Sequence, residues 1–177
     1  MSIPAGIREQ VRRRAEQRCE FCGIHETDAG GELTLDHFRP KSRGGGDDLD
    51  NLIYACSRCN LFKHDYWPQS PGAPHLWNPR KEPSAAHFVE LDDGTLESRS
   101  ATGAFTLRQL RLNRPQLVAK RRQRRRAKEA IVQLGAYRGI ITVLRQLLAQ
   151  QSVVVDQQGE LLQELRELLA WLLSSRH

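Results

Sequence analysis

The 177-residue chain lacks any apolar run near the roughly 20 residues needed to cross a bilayer, which excludes a transmembrane helix and a membrane partner. Its first residues, Met1-Ser2-Ile3-Pro4-Ala5-Gly6, lead into charged sequence without the apolar core of a signal peptide, so a cytoplasmic location is expected. Cysteine is scarce, with four in all, which excludes a disulfide-dense secreted scaffold. Apolar residues are not scarce: 39% hydrophobic with 27% charged is the balance of a globular protein and not of a disordered one. The length suits one ordinary domain, or a small one with a helical extension.

What is present is unevenly placed. Residues 120–128 hold seven cations (Lys120, Arg121, Arg122, Arg124, Arg125, Arg126 and Lys128) and no acid. The whole chain carries +6, so the remainder nets −1. A smaller excess lies in residues 7–18, where Arg8, Arg12, Arg13, Arg14 and Arg18 face Glu9 and Glu16. Concentrated arginine suits a polyanion, and nucleic acid is the commonest one. A solvated helix face is the plainer explanation of any such run.

The four cysteines fall as Cys19-x-x-Cys22, a 33-residue gap, then Cys56-x-x-Cys59. Each Cys-x-x-Cys turn sets two thiolates on one side of a tight knuckle, near the separation a tetrahedral zinc requires. Two disulfides are disfavoured in a reducing compartment, and a redox motif needs only one copy. A four-thiolate shell leaves no open coordination position, so this zinc is expected to hold structure while the chemistry lies elsewhere.

Between the knuckles, Leu33 to Phe38 alternates as a short strand with Leu33 and Leu35 on one face. Pro40 and Gly44-Gly45-Gly46 then force an open loop. Asp47 to Leu52 leads into the second knuckle, and a helix is expected to start at Asn60. The run Cys-x-x-Cys, Asp36-His37-x-x-Pro40-x-Ser42-x-Gly44-Gly45, Asn51-Leu52, Cys-x-x-Cys-Asn60-x-x-Lys63 closely resembles the four-cysteine branch of the HNH endonucleases. The resemblance extends through Trp77-Asn78-Pro79-Arg80, His87-Phe88, Asp93-Gly94 and Leu112-Asn113-Arg114-Pro115, blocks whose function the sequence does not reveal. Gly103-Ala104-Phe105-Thr106 departs from the pattern, since relatives tend to carry Arg after that glycine.

The resemblance implies a ββα-metal core of two short strands and a helix, acting on DNA with Mg²⁺ or Mn²⁺. Chemically, His37 is the candidate base that takes a proton from water. Asp36 and Asn60 offer hard oxygens for the divalent ion. A helix starting at Asn60 would stack His64 on the same face, making His64 a third metal candidate. Asp36 falls on the opposite strand face from His37 if the strand stays regular, so a twist or bulge would be needed for both to share the site. Asp36 could instead orient His37, and Asn60 could cap its helix. In the family, the residue matching Asn51 is thought to brace the loop carrying the histidine. Arg39, Lys41, Arg43 and Lys63 are candidate phosphate contacts, with Lys120, Arg121, Arg122, Arg124, Arg125 and Arg126 as a further DNA-contacting run.

Elsewhere, Ile7, Val11 and Ala15 mark a short helix with outward arginines. Residues 66–83 are proline-rich and extended, and a hairpin turns at Asp93-Gly94. Asn113 caps a long helix with Pro115 in its first turn. A break is expected at residues 153–159, followed by a helix with Leu161, Leu165, Leu168 and Leu172 on one stripe. The simplest burial for that stripe is an antiparallel hairpin against the core; the sharper one is a homodimer through the C-terminal helices. The expected architecture is α+β: residues 1–66 a zinc-braced nuclease core, 67–112 a crossing segment and hairpin, 113–177 a basic helix and leucine-rich helical hairpin. The expected function is metal-dependent cleavage of DNA to a 5′-phosphate, with a non-catalytic, zinc-scaffolded nucleic-acid-binding protein as the alternative.

Overall fold

A computed structural model describes residues 3–174 and divides the chain into two compact units, Met1–Arg124 and Arg125–His177. The first unit therefore spans the expected core and crossing segment and takes in the start of the last helix. Among the described residues no helix is long and apolar enough to cross a membrane.

The N-terminal unit begins with helix α1 (Ala5–Arg14), whose Val11 is fully buried. After the first knuckle come a single turn, α2 (Glu26–Ala29), and strand β1 (Thr34–His37). Strand β2 (Leu52–Ala55) pairs antiparallel with β1, in the register Thr34↔Ala55, Leu35↔Tyr54, Asp36↔Ile53 and His37↔Leu52. All four residues of β2 are buried, so β2 is the centre of the unit and β1 its more exposed edge. Complete burial of Leu52 and Ile53 stabilises the fold by about 1.5–3 kcal/mol each. Helix α3 (Ser57–Lys63) follows directly and packs on β1.

Proline keeps residues 66–83 out of regular helix or strand, and Trp77 anchors this crossing segment in the core. Its ring meets Phe21 and Phe88 edge to face, at centroid distances of 6.5 and 5.3 Å. Strands β3 (Phe88–Glu90) and β4 (Leu96–Ser98) form the second hairpin, turning through Asp93-Gly94 with Gly94 at φ +82°. Helix α4 (Ala101–Gln109) is capped by Ser100, whose hydroxyl accepts from the Gly103 amide. A Cβ on Gly103 would lie 2.3 Å from the His87 carbonyl oxygen, so only glycine lets α4 approach β3 this closely.

Helix α5 (Pro115–Ser174) runs 60 residues without interruption. The break expected at residues 153–159 is absent, and with it the leucine-rich hairpin. The described side chains of the stripe (Leu161, Leu165 and Leu168) are about half exposed; that of Leu172 lies outside the described residues. Asn113 does not cap α5. Its amide is spent on the Leu96 backbone, accepting from the Leu96 amide and donating to the Leu96 carbonyl, both at 2.8 Å.

The arginines of α1 are not all outward. Arg14 donates to the carbonyls of Leu49 and Leu52 at 2.7 and 2.6 Å. Arg12 makes a two-pronged pair with the buried Glu26, 2.7 Å on each prong, and the Tyr54 hydroxyl donates to the same carboxylate. The Arg12 guanidinium, assisted by Tyr54, holds the Glu26 carboxyl down to about 2. A folded-state value below the ordinary one gives stability that is complete above the unfolded glutamate's range and is lost as pH falls through the folded value. Urea unfolding of wild type and Glu26→Gln should differ most near neutral pH, with the variant less stable. The difference should shrink below pH ~4.5 and vanish near pH ~2; a difference independent of pH would contradict this role for the ion pair.

Candidate functional site

The site grows from the end of β1. The ladder stays regular through His37, and the Phe38 amide continues it by donating to the Asn51 carbonyl at 2.8 Å. No bulge interrupts this pairing, so Asp36 and His37 project from opposite faces of β1. The side chain that bridges their strand to α3 is Lys63, which is completely buried. Its ammonium donates to the His37 carbonyl at 2.7 Å and lies 3.1 Å from Asp36 Oδ2. That second approach is an ion pair without hydrogen-bond alignment, and Oδ2 is left buried with no hydrogen bond. Burial pushes the Asp36 carboxyl above its ordinary value, with the Lys63 charge opposing.

On the other face, His37 Nε2 lies 2.7 Å from Asp47 Oδ1. Lys41 approaches the same carboxylate at 2.9 Å, and Lys41 first and His37 second hold Asp47 below its ordinary value. A carboxylate opposite Nε2 keeps a proton on that nitrogen and leaves the lone pair on Nδ1. Asp47 did not stand out in the sequence, where it is one of three aspartates after the glycines. The loop between them is tied by Asn51, whose Oδ1 accepts from the Arg39 amide at 2.8 Å. Its Nδ2 donates to the carbonyls of Arg39 and Gly46, at 3.1 and 2.8 Å. A Cβ on Gly45 would sit 1.8 Å from the Arg39 carbonyl oxygen, so this closure requires glycine.

Helix α3 begins at Ser57, with Cys56 as N-cap, because the knuckle itself turns the chain into the helix. Asn60 is thus an interior residue and caps nothing. Its Nδ2 approaches Thr34 Oγ1 at 3.5 Å, and Thr34 shares a face of β1 with Asp36, so Asn60 lies over the Asp36 face. His64 does not stack above it. The helix ends at Lys63, His64 leaves at φ +51°, and its exposed imidazole bonds Asp65. Among the described residues, the four cysteines are the one group of three or more His, Cys, Asp or Glu placed to share a metal. Asp36 and Asn60 are therefore brought to one face while His64 is not.

The expected phosphate contacts are partly engaged. Lys63 is buried against Asp36, Lys41 is held by Asp47, and Arg39 donates to the Arg43 carbonyl at 2.6 Å while stacking 5.4 Å over Trp67. Arg43 is exposed. In the basic run, Arg121 is buried and donates to the carbonyls of Gly94 and Leu112. Lys120 and Arg124 pair with Asp28 and Glu90, and Arg125 in the second unit pairs with Glu129. Arg122 and Arg126 are exposed.

The sulfurs of Cys19, Cys22, Cys56 and Cys59 lie within 4.8 Å of one another, with Cys22 and Cys56 3.7 Å apart. A zinc tetrahedron with bonds of about 2.3 Å has edges of about 3.8 Å, so the donors fit zinc in chemistry and spacing. Around them are the side chains that sequence left without a function. Arg80 pairs with Glu20 inside the first knuckle at 2.8 Å, and Glu20 also accepts from the Tyr54 amide. Arg114 points its Nη2 at three of the sulfurs: 3.8 Å from Cys22 and Cys56, and 3.7 Å from Cys59.

Residues 19–66, which contain all four cysteines, β1, β2 and α3, match the family model of the HNH endonuclease domain. No curated protein matches the chain significantly. The match points to a nuclease-type or nucleic-acid-binding function, and the cysteine cluster is positioned for zinc.

Four thiolates leave a zinc cluster dianionic, and the Arg114 guanidinium is the cation placed to offset that charge. Arg114→Met should release zinc to a chromophoric chelator about 10- to 100-fold faster than wild type, with Arg114→Lys between them. Equal release rates would show that the contact is incidental.

Proposed function

We propose that this chain, through the HNH domain at residues 19–66, is a metal-dependent DNA endonuclease that hydrolyses phosphodiesters to 5′-phosphate products. The observation that carries the reading is the end of β1. There a carboxylate with a buried oxygen lacking a hydrogen bond adjoins a histidine whose Nε2 is fixed by an aspartate. Asp36, with Asn60 over the same strand face, would hold Mg²⁺ or Mn²⁺; because His37 leaves the opposite face of the regular strand, the scissile phosphate would lie across the end of β1 to meet both the ion's positive charge and the imidazole. His37 takes a proton from water at Nδ1, the oxygen of that water bonds to phosphorus, and the P–O3′ bond breaks. The departing 3′ oxygen gains a proton from solvent. Asp47 positions the imidazole and stabilises it once protonated, and Asn51 keeps the loop between them closed. Arg39, Lys41 and Arg43 are the nearest cations along the chain for phosphate oxygens, Arg43 being the exposed one.

One observation favours the non-catalytic alternative. Lys63 already brings a positive charge to Asp36, so a zinc-scaffolded protein that binds nucleic acid without cutting it would need no further cation there.

Nicking of supercoiled plasmid separates the two readings. Zinc-loaded wild type with Mg²⁺ or Mn²⁺ should nick, and EDTA should stop it. His37→Ala, at equal zinc content, should lose at least about 100-fold in rate, the contribution of a positioned base. If wild type retards DNA in a gel but cuts no form of it with either ion, the binding reading replaces this one.

A further inference from the structure

The uninterrupted helix in the second unit exposes a repeat that a broken helix would hide. Leu134, Ile141, Leu148, Val155, Leu162 and Leu169 recur every seventh residue, and all are exposed. Ile140, Leu147, Val154, Leu161 and Leu168 accompany them one position earlier, also exposed. Writing the first set as heptad position a and the second as g, position d holds Tyr137, Leu144, Gln151, Gln158 and Leu165. Positions g, d and a are contiguous on a helix, so these residues form one stripe along its length, apolar except at Gln151 and Gln158. A strict seven-residue spacing maintained through five repeats is the pattern of a coiled coil, since a lone helix drifts off it by about 20° per heptad.

The same segment is poorly suited to stand alone. It carries Gly135, Gly139 and Gly159 and the β-branched run Val153-Val154-Val155. Helices with such residues owe their stability mainly to packing of an apolar face. Charge then says what packs there. Residues 125–149 hold five cations (Arg125, Arg126, Lys128, Arg138 and Arg145) against Glu129. Residues 150–174 hold four acids (Asp156, Glu160, Glu164 and Glu167) against Arg166. The acids fall at heptad positions b, c and f, off the seam, so the net charge of each half sets the orientation: a parallel copy aligns like-charged halves, whereas an antiparallel copy sets the basic half beside the acidic half.

We infer that residues 125–174 pair antiparallel with the same segment of a second copy of this chain. Antiparallel packing faces a against d, and one register aligns the whole repeat, with its two-fold axis at Val153. Ile141 faces Leu165 of the second copy, Leu144 faces its Leu162, and Tyr137 faces its Leu169. Gln151 and Gln158 lie against Val155 and Leu148 of the second copy near the centre, the least apolar layers of the repeat. The pairing stands apart from the nuclease reading and would hold for a non-catalytic protein.

Light scattering of the full, zinc-loaded chain at micromolar concentration should give twice the chain mass. Leu148→Glu with Val155→Glu should give a monomer whose zinc content and N-terminal unfolding transition match wild type, which separates lost pairing from lost folding. Orientation is read by mild oxidation. Leu148→Cys with Gln158→Cys should cross-link two chains, while Leu148→Cys alone, about 15 Å from its counterpart in this register, should not. A wild-type chain of any other stoichiometry, or cross-linking by Leu148→Cys alone, overturns the inference.

Discussion

Four sulfurs drawn within 4.8 Å of one another are the constraint on which the N-terminal unit depends. Its strands are three or four residues long and its sheets two-stranded, too small to be stable by pairing alone. The knuckles join what the short sheet cannot. The first lies between α1 and β1, and the second is continuous with both β2 and α3. Closing them therefore fixes the two strands against the helix that carries Asn60 and Lys63. Bringing four thiolates together is electrostatically unfavourable without a cation among them, so zinc bound there would couple to folding. Arg114 extends the coupling to the start of α5, so the later blocks of sequence are tied to the same cluster.

How much of this the residues themselves announced depends on the range of the interaction. Local signals were legible: the Cys-x-x-Cys spacing, the alternation of β1, the hairpin at Asp93-Gly94, the prolines of the crossing segment. Contacts between distant residues were not. Asp47 meets His37 only because a glycine loop folds back, and nothing in Asp47-Asp48 says which aspartate will arrive. Asparagine is a good cap and so points to a helix start at Asn60, whereas the cysteine turn already supplies the start of α3 at Ser57. That three-residue shift moves His64 out of the helix and Lys63 into the site. Asn113 gives the same false capping signal, since its amide serves as an extra rung on β4.

The basic run illustrates a different limit. Seven cations in nine residues read as a surface for a polyanion, yet Arg121 is buried, and Lys120 and Arg124 are paired across the fold. Clustering in sequence measures charge density and not availability. The helix beyond it shows a related limit of composition. Val153 to Gly159 has the composition of a break, but propensity is worth under about 1 kcal/mol per residue, and α5 continues through it.

Lys63 and Asp36 bring these threads to one place. A carboxylate buried with an unbonded oxygen is costly, and its pKa rises until a positive charge offsets the burial. Lys63 is fixed there because its ammonium also serves the His37 carbonyl, so it bonds the backbone of one site residue and neutralises the side chain of the other. The contact to Asp36 lacks hydrogen-bond alignment while the contact to His37 has it, so the lysine is held chiefly by the backbone. Such an arrangement stabilises the folded chain without saturating the carboxylate. The same ammonium keeps the strand end that carries His37 in place.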